Sequence, residues 1–323
     1  MSKRAIVIGG AGFIGSHLVN ILNNKKYDVV IYDDFSNPTG KQNLPSNVKI
    51  AKGSILNYKK MQSIFKKSQL IFNLAVLPLP MSFVDPDRVV KINDYGAYLV
   101  AKLCAELKTK LIHVSSSEAY GTAKYHTMKE DHPLLPTTVY AASKASSESY
   151  VRAFGDSSKL KYVIVRPFNS YGEFMREDGY AAALPNFYHR LIKNKRPIIH
   201  GNGKQTRDLT HAHDTANGIF LASKEPKAVG SAINIAQNRE VSIIKMAEIM
   251  IDTISDLSGK KISKDFIHIK ERDGDVRRHL GDISLAKKIL GYEPKIKLED
   301  GIRKYVEWKF QQSNIPSKKQ ELF

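Results

Sequence analysis

A tyrosine and a lysine stand four residues apart in the segment "VYAASKASSESY", as Tyr140 and Lys144. At that spacing both side chains lie on one face of a helix. A tyrosine with a pKa near 10 is a poor base at neutral pH. A neighbouring ammonium group favours the phenolate and lowers that pKa toward the working range. The pair therefore predicts proton transfer with a hydroxyl group.

Three hydroxyls and a carboxylate follow an apolar stretch in "KLIHVSSSEAYG", as Ser115, Ser116, Ser117 and Glu118. Polar side chains at the end of a buried strand are well placed for chemistry. A carboxylate there can remove a proton that a hydroxyl cannot. The alternative for Glu118 is a structural carboxylate, bonded to backbone N–H groups or to a nearby arginine.

The segment "GGAGFIG" after the first apolar run places Gly9, Gly12 and Gly15 where the chain turns into a helix. Glycines let the backbone approach a pyrophosphate, whose charge meets backbone N–H groups and the helix dipole. Asp33 follows at the end of the second strand, where a carboxylate accepts from a ribose 2'-hydroxyl. The pattern predicts dinucleotide binding, with NAD preferred over NADP, although Lys41 keeps NADP open.

Short apolar segments alternate with amphipathic ones in the first half of the chain, as in a parallel sheet covered on both faces. The predicted strands are "RAIVIGG", "DVVIYDD", "VKIAKG", "LIFNLA", "KLIHVSSS" and "KYVIVRPF". The predicted helices between them include residues 16–22, 94–106 and 141–154. We therefore expect an α/β fold with a doubly wound parallel (Rossmann) sheet.

Longer polar loops follow Pro167. The helices predicted there cover residues 184–193, 214–223, 242–257 and 298–311. The segment "SAINIA", near residues 231–236, is predicted to return to the first sheet as a buried strand. We expect residues 1–168 to form the NAD-binding domain, together with this strand and the helix near 214–223. Residues 169–323 would form mainly a smaller substrate-binding lobe.

The formal net charge is +18 in 323 residues. Clustered basic charge attracts nucleic acid, but the lysines are scattered in small groups such as "NNKK", "KNKR" and "SGKKISK". We interpret the charge as a solvated lysine-rich surface, with attraction of anionic substrates or of RNA as alternatives.

Neither membrane insertion nor secretion is predicted. No apolar run approaches the roughly 18 residues that cross a bilayer, and the first residues reach glycines before a signal-peptide core could form. A cytoplasmic location without a membrane partner is therefore expected. The single cysteine, Cys104, lies in the apolar helical pattern "YLVAKLCAEL", which favours a buried structural thiol.

Taken together, these motifs resemble the extended short-chain dehydrogenases/reductases that act on nucleotide sugars. The resemblance covers nearly the whole chain in the family's order. It rests on the glycine loop at 9–15, Asp33, "NLA" at 73–75, Asn93, "SSSEAYG", Tyr140 with Lys144, "RPFNSYG", "GNGKQTRDLTHAHD" and "GDVRRHLGDISLAKKILGYEP". This series is specific for the family and less specific for one reaction.

The resemblance implies NAD as cofactor and a nucleoside-diphosphate sugar as substrate. Tyr140 would take the proton of the sugar 4-hydroxyl while hydride leaves carbon 4, and Ser116 would hydrogen-bond the same oxygen. Lys144 would hold the nicotinamide ribose and tune Tyr140, whose phenolate the positive nicotinamide ring also favours. The family further implies a homodimer, packed through helices at 94–106 and 141–154.

Other positions acquire roles through the resemblance alone. Cofactor contacts are implied for Gly9, Gly12, Phe13, Ile14, Gly15, Asp33, Ser54, Ile55, Leu74, Ala75, Asn93, Tyr140, Lys144 and Pro167. Substrate contacts are implied for Ser82, Asn169, Arg207 and Arg277; the planar fork of arginine suits phosphate oxygens. No metal is expected.

Two positions depart from the family pattern. Ser54, in "GSI", stands where relatives often have an aspartate that meets adenine, which affects the expected cofactor affinity. Glu173, in "YGEF", stands where proline is usual, which affects the expected shape of the substrate loop.

The resemblance also gives Glu118 a role. In the family's 4,6-dehydratases, a glutamate two residues after the Ser or Thr removes the carbon 5 proton of a 4-keto sugar. Water then leaves carbon 6 and hydride returns there, which gives a 4-keto-6-deoxy sugar. Ser117 stands where some dehydratases have an aspartic acid for the departing water and others a serine. A 4,6-dehydratase is therefore favoured.

Several other outcomes stay open. A 4-epimerase of the UDP-glucose or UDP-glucuronate type needs no carbon 5 base, and a decarboxylase or a simple 4-dehydrogenase is also compatible. A non-catalytic dinucleotide- or RNA-binding protein would usually lose the tyrosine, the lysine or the strand-end hydroxyl. All three are present here, so no nucleic-acid partner is expected. His113 is interpreted as a core histidine, and His211 and His213 as packing or capping residues rather than metal ligands.

Overall fold

The computed structural model describes residues 3–177, 182–271 and 277–313. Its strands are β1 (Arg4–Ile8), β2 (Asp28–Asp33), β3 (Lys49–Lys52), β4 (Leu70–Asn73), β5 (Lys110–Val114), β6 (Tyr162–Pro167), β7 (Asn169–Tyr171), β8 (Ile198–His200), β9 (Thr206–His211), β10 (Ala232–Ile235), β11 (Glu240–Ser242) and β12 (Ile267–Ile269). Seven of them form one parallel sheet in the order β10-β6-β5-β4-β1-β2-β3. The predicted α/β fold with a Rossmann sheet is confirmed.

Helices cover both faces of this sheet. The helices are α1 (Phe13–Asn24), α2 (Tyr58–Phe65), α3 (Pro86–Val89), α4 (Gly96–Glu106), α5 (Val139–Ser158), α6 (Ala183–Leu191), α7 (Ala212–Lys224), α8 (Ile243–Ser258), α9 (Ser284–Leu290) and α10 (Leu298–Ser313). Side chains alternate along a strand, so Ala5 and Val7 pack with α1, α7 and α9. Ile6 and Ile8 pack on the other face with α2, α4 and α5.

The second half builds a smaller core beside the sheet. Helices α6, α8 and α10 bury their apolar faces together, with Phe187, Met250 and Tyr305 among the buried side chains. A three-stranded sheet, β11-β9-β7, and a two-stranded pair, β12-β8, complete this half. Strand β10 pairs with β6, and residues of α7 pack in the same core as β1 and α1. The domain division at residue 168 stays a prediction.

Several predicted boundaries were wrong by a few residues. Helix α1 begins at Phe13 rather than at residue 16, because Gly12 ends the extended backbone directly before it. Strand β5 ends at Val114, so Ser115 to Ser117 lie beyond the sheet. The helix expected over 94–106 starts at Gly96, preceded by a π-helical turn, Val90–Tyr95. Helix α5 begins earlier than expected because Thr138 caps it, accepting from the Ala141 N–H.

No helix within residues 3–177, 182–271 or 277–313 combines the length and apolar character needed to cross a membrane. Cys104 is fully buried in α4 and burial raises the pKa of its thiol, which confirms the structural interpretation.

Candidate active site

A cavity of ≈ 470 Å³ opens at the carboxyl ends of the parallel strands. Its wall includes Ile8 from β1, Asp33 from β2, Val114 from β5 and Pro167 from β6. Parallel strands all end at one edge of a sheet, so side chains far apart in the sequence meet there. The volume lies within the usual range for small-molecule sites.

The glycine loop forms a cradle at this edge. Gly9 has a φ of +76°, and a Cβ added there would come within 2.8 Å of the Ala75 nitrogen. Helix α1 starts after Gly12 with no side-chain cap and no acidic residue in its first turn. Its first N–H groups are therefore available to an anion, and the positive end of the helix dipole favours one. These features fit a pyrophosphate.

We predict that Gly15→Ala weakens dinucleotide binding at least about 100-fold, because the loop could no longer approach a pyrophosphate. A Cβ at Gly15 would overlap the carbonyl oxygen of Gly9, so the loop would have to move. Calorimetric titration with NAD measures the affinity, and thermal unfolding checks that the variant is folded. Wild-type affinity in a folded variant would contradict the assignment of the loop.

Asp33 organises the loop from the end of β2. One carboxylate oxygen accepts from the Ala11 N–H at 2.9 Å, and the other accepts from the Phe35 N–H at 2.8 Å. Burial raises the pKa of this carboxyl. A carboxylate offers about four acceptor sites, so two bonds leave capacity for a ribose hydroxyl. The role expected for Asp33 toward the ribose stays a prediction.

Tyr140 and Ser116 meet on the cavity wall, where their side chains are hydrogen-bonded. Burial of its hydroxyl raises the pKa of Tyr140 to about 12; the Ser116 hydrogen bond lowers the pKa and the charge of Glu118 raises it further. In the chain without cofactor, burial therefore outweighs the groups that lower this pKa, and the role expected for Lys144 toward Tyr140 stays a prediction. The Lys144 ammonium donates to the Val114 carbonyl at 2.6 Å. Burial lowers the pKa of Lys144 to about 8, against the charge of Glu148.

Glu118 lines the cavity from the 3-10 turn Ser117–Tyr120 that follows β5. The turn is capped by Ser116, whose hydroxyl oxygen accepts from the Glu118 N–H at 3.2 Å. Burial raises the pKa of Glu118, although the positive charge of Arg207 lowers it. A raised pKa makes a carboxylate a stronger base. Ser117, by contrast, is buried and does not line the cavity.

The turn that carries Glu118 is anchored from below by a buried polar network. Arg166 donates to both carboxylate oxygens of Glu148, at 2.9 and 2.6 Å, and to the Tyr120 hydroxyl at 2.8 Å. The Tyr120 hydroxyl in turn donates to the Asn234 side chain at 2.7 Å. Satisfied buried networks rigidify their surroundings. Arg166 thus holds two elements of the site. One is the turn that carries Glu118, and the other is helix α5 at Glu148, one turn after Lys144.

The structure brings most of the predicted site residues together around the cavity. Those that line it are Gly9, Phe13, Ile14, Gly15, Asp33, Ile55, Leu74, Ala75, Ser116, Glu118, Tyr140, Lys144, Pro167 and Asn169. Those that do not are Gly12, Ser54, Ser82, Asn93, Ser117, Arg207 and Arg277. The functional roles of both groups stay predictions.

Three residues of the second group support the wall from behind or turn away. The Asn93 side chain accepts from the Leu77 N–H at 2.7 Å and donates to its carbonyl at 2.9 Å, which fixes a lining residue. The Ser82 hydroxyl donates to the carbonyl of Leu79. The Ser54 hydroxyl oxygen accepts from a local N–H instead of facing the cavity.

No motif in the sequence pointed to two residues that line the cavity or to a histidine that contacts a lining residue. Arg88 and Arg176 line the cavity from a short helix and from the loop after β7. His279 is buried, and its Nδ1 accepts from the Asn169 side-chain amide at 3.0 Å. Burial lowers the pKa of His279 to about 4, so it is neutral at pH 7. Neither arginine belongs to a recognisable spacing, and only the tertiary fold brings His279 to Asn169.

His113 and His211 have structural partners. His113 is buried with Nε2 2.9 Å from the Ser147 hydroxyl, which confirms a core role. His211 caps α7 by accepting from the His213 N–H, which confirms capping. Nε2 of His211 lies 3.0 Å from a carboxylate oxygen of Glu173. The glutamate at this position, where the family usually has proline, therefore links the loop after β7 to the start of α7. Within the described ranges, no group of three or more His, Cys, Asp or Glu side chains could hold a metal ion.

Comparisons with known proteins agree with this arrangement. The family model described as GDP-mannose 4,6 dehydratase matches residues 6–305. A putative UDP-glucose 4-epimerase of Methanocaldococcus jannaschii is 31% identical over 94% of this chain and 97% of that protein. The human dTDP-D-glucose 4,6-dehydratase is 29% identical over 95% of this chain and 90% of that protein. A dTDP-glucose 4,6-dehydratase of Streptomyces venezuelae, solved with NAD bound, superposes with a TM-score of 0.86 at 25% identity, covering 96% of this chain and 97% of that chain.

Proposed function

The chain belongs to the extended short-chain dehydrogenase/reductase family of nucleotide-sugar epimerases and dehydratases, and on that premise we propose that it is a nucleoside-diphosphate-sugar 4,6-dehydratase. The observation that carries the proposal is the Glu118 carboxyl, which lines the same cavity as Tyr140 and Ser116. An enzyme that only oxidises and reduces carbon 4 has no use for a second base at this point. The product would be a 4-keto-6-deoxy sugar nucleotide.

NAD is the proposed cofactor; when bound, it accepts a hydride from the sugar, returns it, and brings a positive charge into the cavity. The glycine loop, the first turn of α1 and Asp33 would hold it. The uncapped helix start and the close backbone approach at Gly9 support this assignment. The Streptomyces venezuelae dehydratase, solved with NAD, supports it independently.

Tyr140 would accept the proton of the sugar 4-hydroxyl. Because burial holds its pKa at about 12 in the chain alone, the transfer needs added positive charge. Lys144, with a pKa of about 8, is mostly protonated at pH 7 and contributes part of that charge. The Ser116 hydroxyl, already bonded to Tyr140, would stabilise the phenolate.

Glu118 would take the proton from carbon 5 of the 4-keto sugar. Since Ser117 does not line the cavity, the same carboxyl would protonate the hydroxyl that leaves carbon 6 as water. A solvent proton, relayed by Glu118, would then return to carbon 5 as carbon 6 receives hydride. The sugar thus loses two protons, one from the 4-hydroxyl and one from carbon 5. Two protons are delivered in exchange, one to the departing water and one to carbon 5. The raised pKa of Glu118 favours its protonated form and so supports the second of these steps, the protonation of the leaving hydroxyl.

The diphosphate of the substrate would lie near Asn169, Arg207 and Arg277. Asn169 lines the cavity. The Thr206 N–H donates to the Arg277 carbonyl at 3.0 Å, so Arg277 lies beside the strand that carries Arg207. An arginine guanidinium suits a diphosphate, because it can donate two parallel bonds to phosphate oxygens.

A 4-epimerase is the second candidate. It is favoured by the position of Ser117, which does not line the cavity and so is not placed to protonate the departing water. The Methanocaldococcus jannaschii relative, named a putative UDP-glucose 4-epimerase, supports the same alternative. In this case Glu118 would be a structural carboxylate near Arg207.

Incubation with UDP-, GDP-, CDP- and dTDP-sugars in deuterated water, followed by NMR, separates these candidates. The dehydratase is expected to place deuterium at carbon 5 and to yield a 6-methyl group. Inversion at carbon 4 without solvent label would replace the dehydratase by the epimerase. Loss of carbon dioxide from a uronic acid would assign a decarboxylase instead.

A homodimer is also proposed, packed through helices α4 and α5. Exposed apolar side chains beside these helices support it: Phe83 is 65% exposed, Val84 78% and Tyr95 52%. Light scattering measures the mass in solution. If this proposal were wrong, that mass would equal the mass of a single chain at all concentrations. The cytoplasmic location stays a prediction.

A further inference from the structure

Lysines fill the turns that lead into the parallel strands. These turns are residue 3 and residues 24–27, 66–69, 107–109, 159–161 and 224–231, and we call the surface they form the amino edge. Its exposed lysines are Lys3, Lys25, Lys26, Lys66, Lys67, Lys108, Lys159, Lys161, Lys224 and Lys227. In the sequence these lysines are scattered, but parallel strands all start at one edge. The fold therefore gathers into one surface a charge that the sequence spreads over more than two hundred residues.

Few carboxylates balance this charge. Glu225 is the single acidic residue within the turns, and its carboxylate accepts from the Lys227 N–H at 2.9 Å. Among the flanking acids, Asp28 pairs with Lys49 at 3.0 Å, and Glu106 accepts from the Tyr58 hydroxyl. The amino edge is thus a strongly positive surface.

Four of these lysines have a backbone conformation that is unfavourable for most side chains. Lys26, Lys67, Lys108 and Lys159 have φ of +62°, +64°, +53° and +56°. This left-handed conformation favours glycine or asparagine after a helix. Helices α8 and α9, which do not lead into the large sheet, end with Gly259 and Gly291 in the same conformation. Local backbone preference therefore does not explain the lysines of the amino edge.

The amino edge lies opposite the cavity. The cavity is built at the carboxyl ends of the strands, so a partner on the amino edge leaves it open to substrate. Seven strands about 4.8 Å apart give this edge a length of roughly 30 Å. A surface of that length suits a broad polyanion better than a small anion.

We propose that the amino edge docks on an anionic lipid surface. Lysine is a flexible, strongly hydrated point charge, suited to many lipid headgroups rather than to one fixed geometry. RNA binding without base readout usually includes exposed aromatic rings for stacking. The single aromatic residue of these turns, Tyr27, is partly buried edge-on against Phe220. The composition therefore favours lipid over RNA.

The test compares two variants with the same loss of charge. The edge variant carries Lys26→Asn, Lys67→Asn, Lys108→Asn and Lys159→Asn; asparagine tolerates the left-handed conformation, so the fold is kept. The control variant carries Lys193→Asn, Lys195→Asn, Lys260→Asn and Lys261→Asn, all exposed and outside the amino edge. Binding is measured by co-sedimentation with phosphatidylcholine vesicles containing about 30% phosphatidylglycerol, at several salt concentrations.

The wild type and the control variant are expected to bind these vesicles and to release them as salt rises. The edge variant is expected to bind at least about tenfold more weakly, with unchanged thermal unfolding and unchanged turnover. Equal loss of binding in both variants would overturn the proposal, because net charge alone would then explain it. Retention of the wild type on RNA without binding to vesicles would overturn it in favour of RNA.

Discussion

Tyr140→Phe is expected to lower turnover at least about 1000-fold while NAD and the sugar nucleotide still bind within about threefold of wild type. The change removes one oxygen from a ring that lines the cavity and leaves the ring in place. The variant lacks the phenol oxygen that contacts Ser116 and would accept the proton of the 4-hydroxyl. The loss should therefore fall on the first chemical step and not on binding.

The measurement is single-turnover formation of reduced cofactor, together with calorimetric binding. Tyr125→Phe is a matched control, since Tyr125 is 65% exposed and lies outside the cavity; it should retain full activity. Turnover of Tyr140→Phe at more than a tenth of the wild-type rate would remove the phenol from the mechanism. A large loss of NAD binding would instead make Tyr140 a binding residue.

Glu118→Gln is expected to separate the two halves of the reaction. Oxidation at carbon 4 should continue, because the charge of Glu118 raises the pKa of Tyr140 and its removal relieves that effect. Loss of water and exchange at carbon 5 should fall by about 100-fold to 10000-fold, because glutamine cannot take the proton. Reduced cofactor and a 4-keto sugar should therefore accumulate.

Absorbance of the reduced cofactor and NMR of the sugar in deuterated water follow both halves. Glu293→Gln serves as the control, since Glu293 is exposed and does not line the cavity. Unchanged dehydration in Glu118→Gln would reduce Glu118 to a structural residue. Loss of both oxidation and dehydration, in a folded variant, would show that the turn and not the carboxyl had been damaged.

Local patterns in the sequence predicted the fold and much of the cavity wall. The strands were found because buried parallel strands are continuous apolar runs. Gly9, Asp33, Tyr140 and Lys144 were found because each lies at a fixed distance from a strand or helix boundary. Resemblance to a family added Asn169 and gave Glu118 its expected role, neither of which composition and periodicity alone would supply.

What the sequence could not predict depends on contacts between distant segments. The rise in the Tyr140 pKa could not be predicted because it comes from burial of the phenol, which depends on how distant segments pack around it. Arg88 reaches the cavity from the short helix α3 and Arg176 from the loop after β7, and neither follows a regular sequence pattern. The positive surface at the starts of the strands was missed because the sheet, and not the chain, makes those lysines neighbours.

Buried Arg166 lies under the turn Ser117–Tyr120 and holds it in place. The position of the turn is therefore set separately from the side chain that the turn presents at position 118. Tyr120 is held by Arg166 and Asn234, so the path of the backbone does not depend on which side chain occupies position 118. Under the proposed mechanism, exchange of the side chain at position 118 would therefore change the product, while Tyr140 and Ser116 stay where they are. Divergence among epimerases, dehydratases and decarboxylases on such a scaffold would then need no change in the path of the main chain.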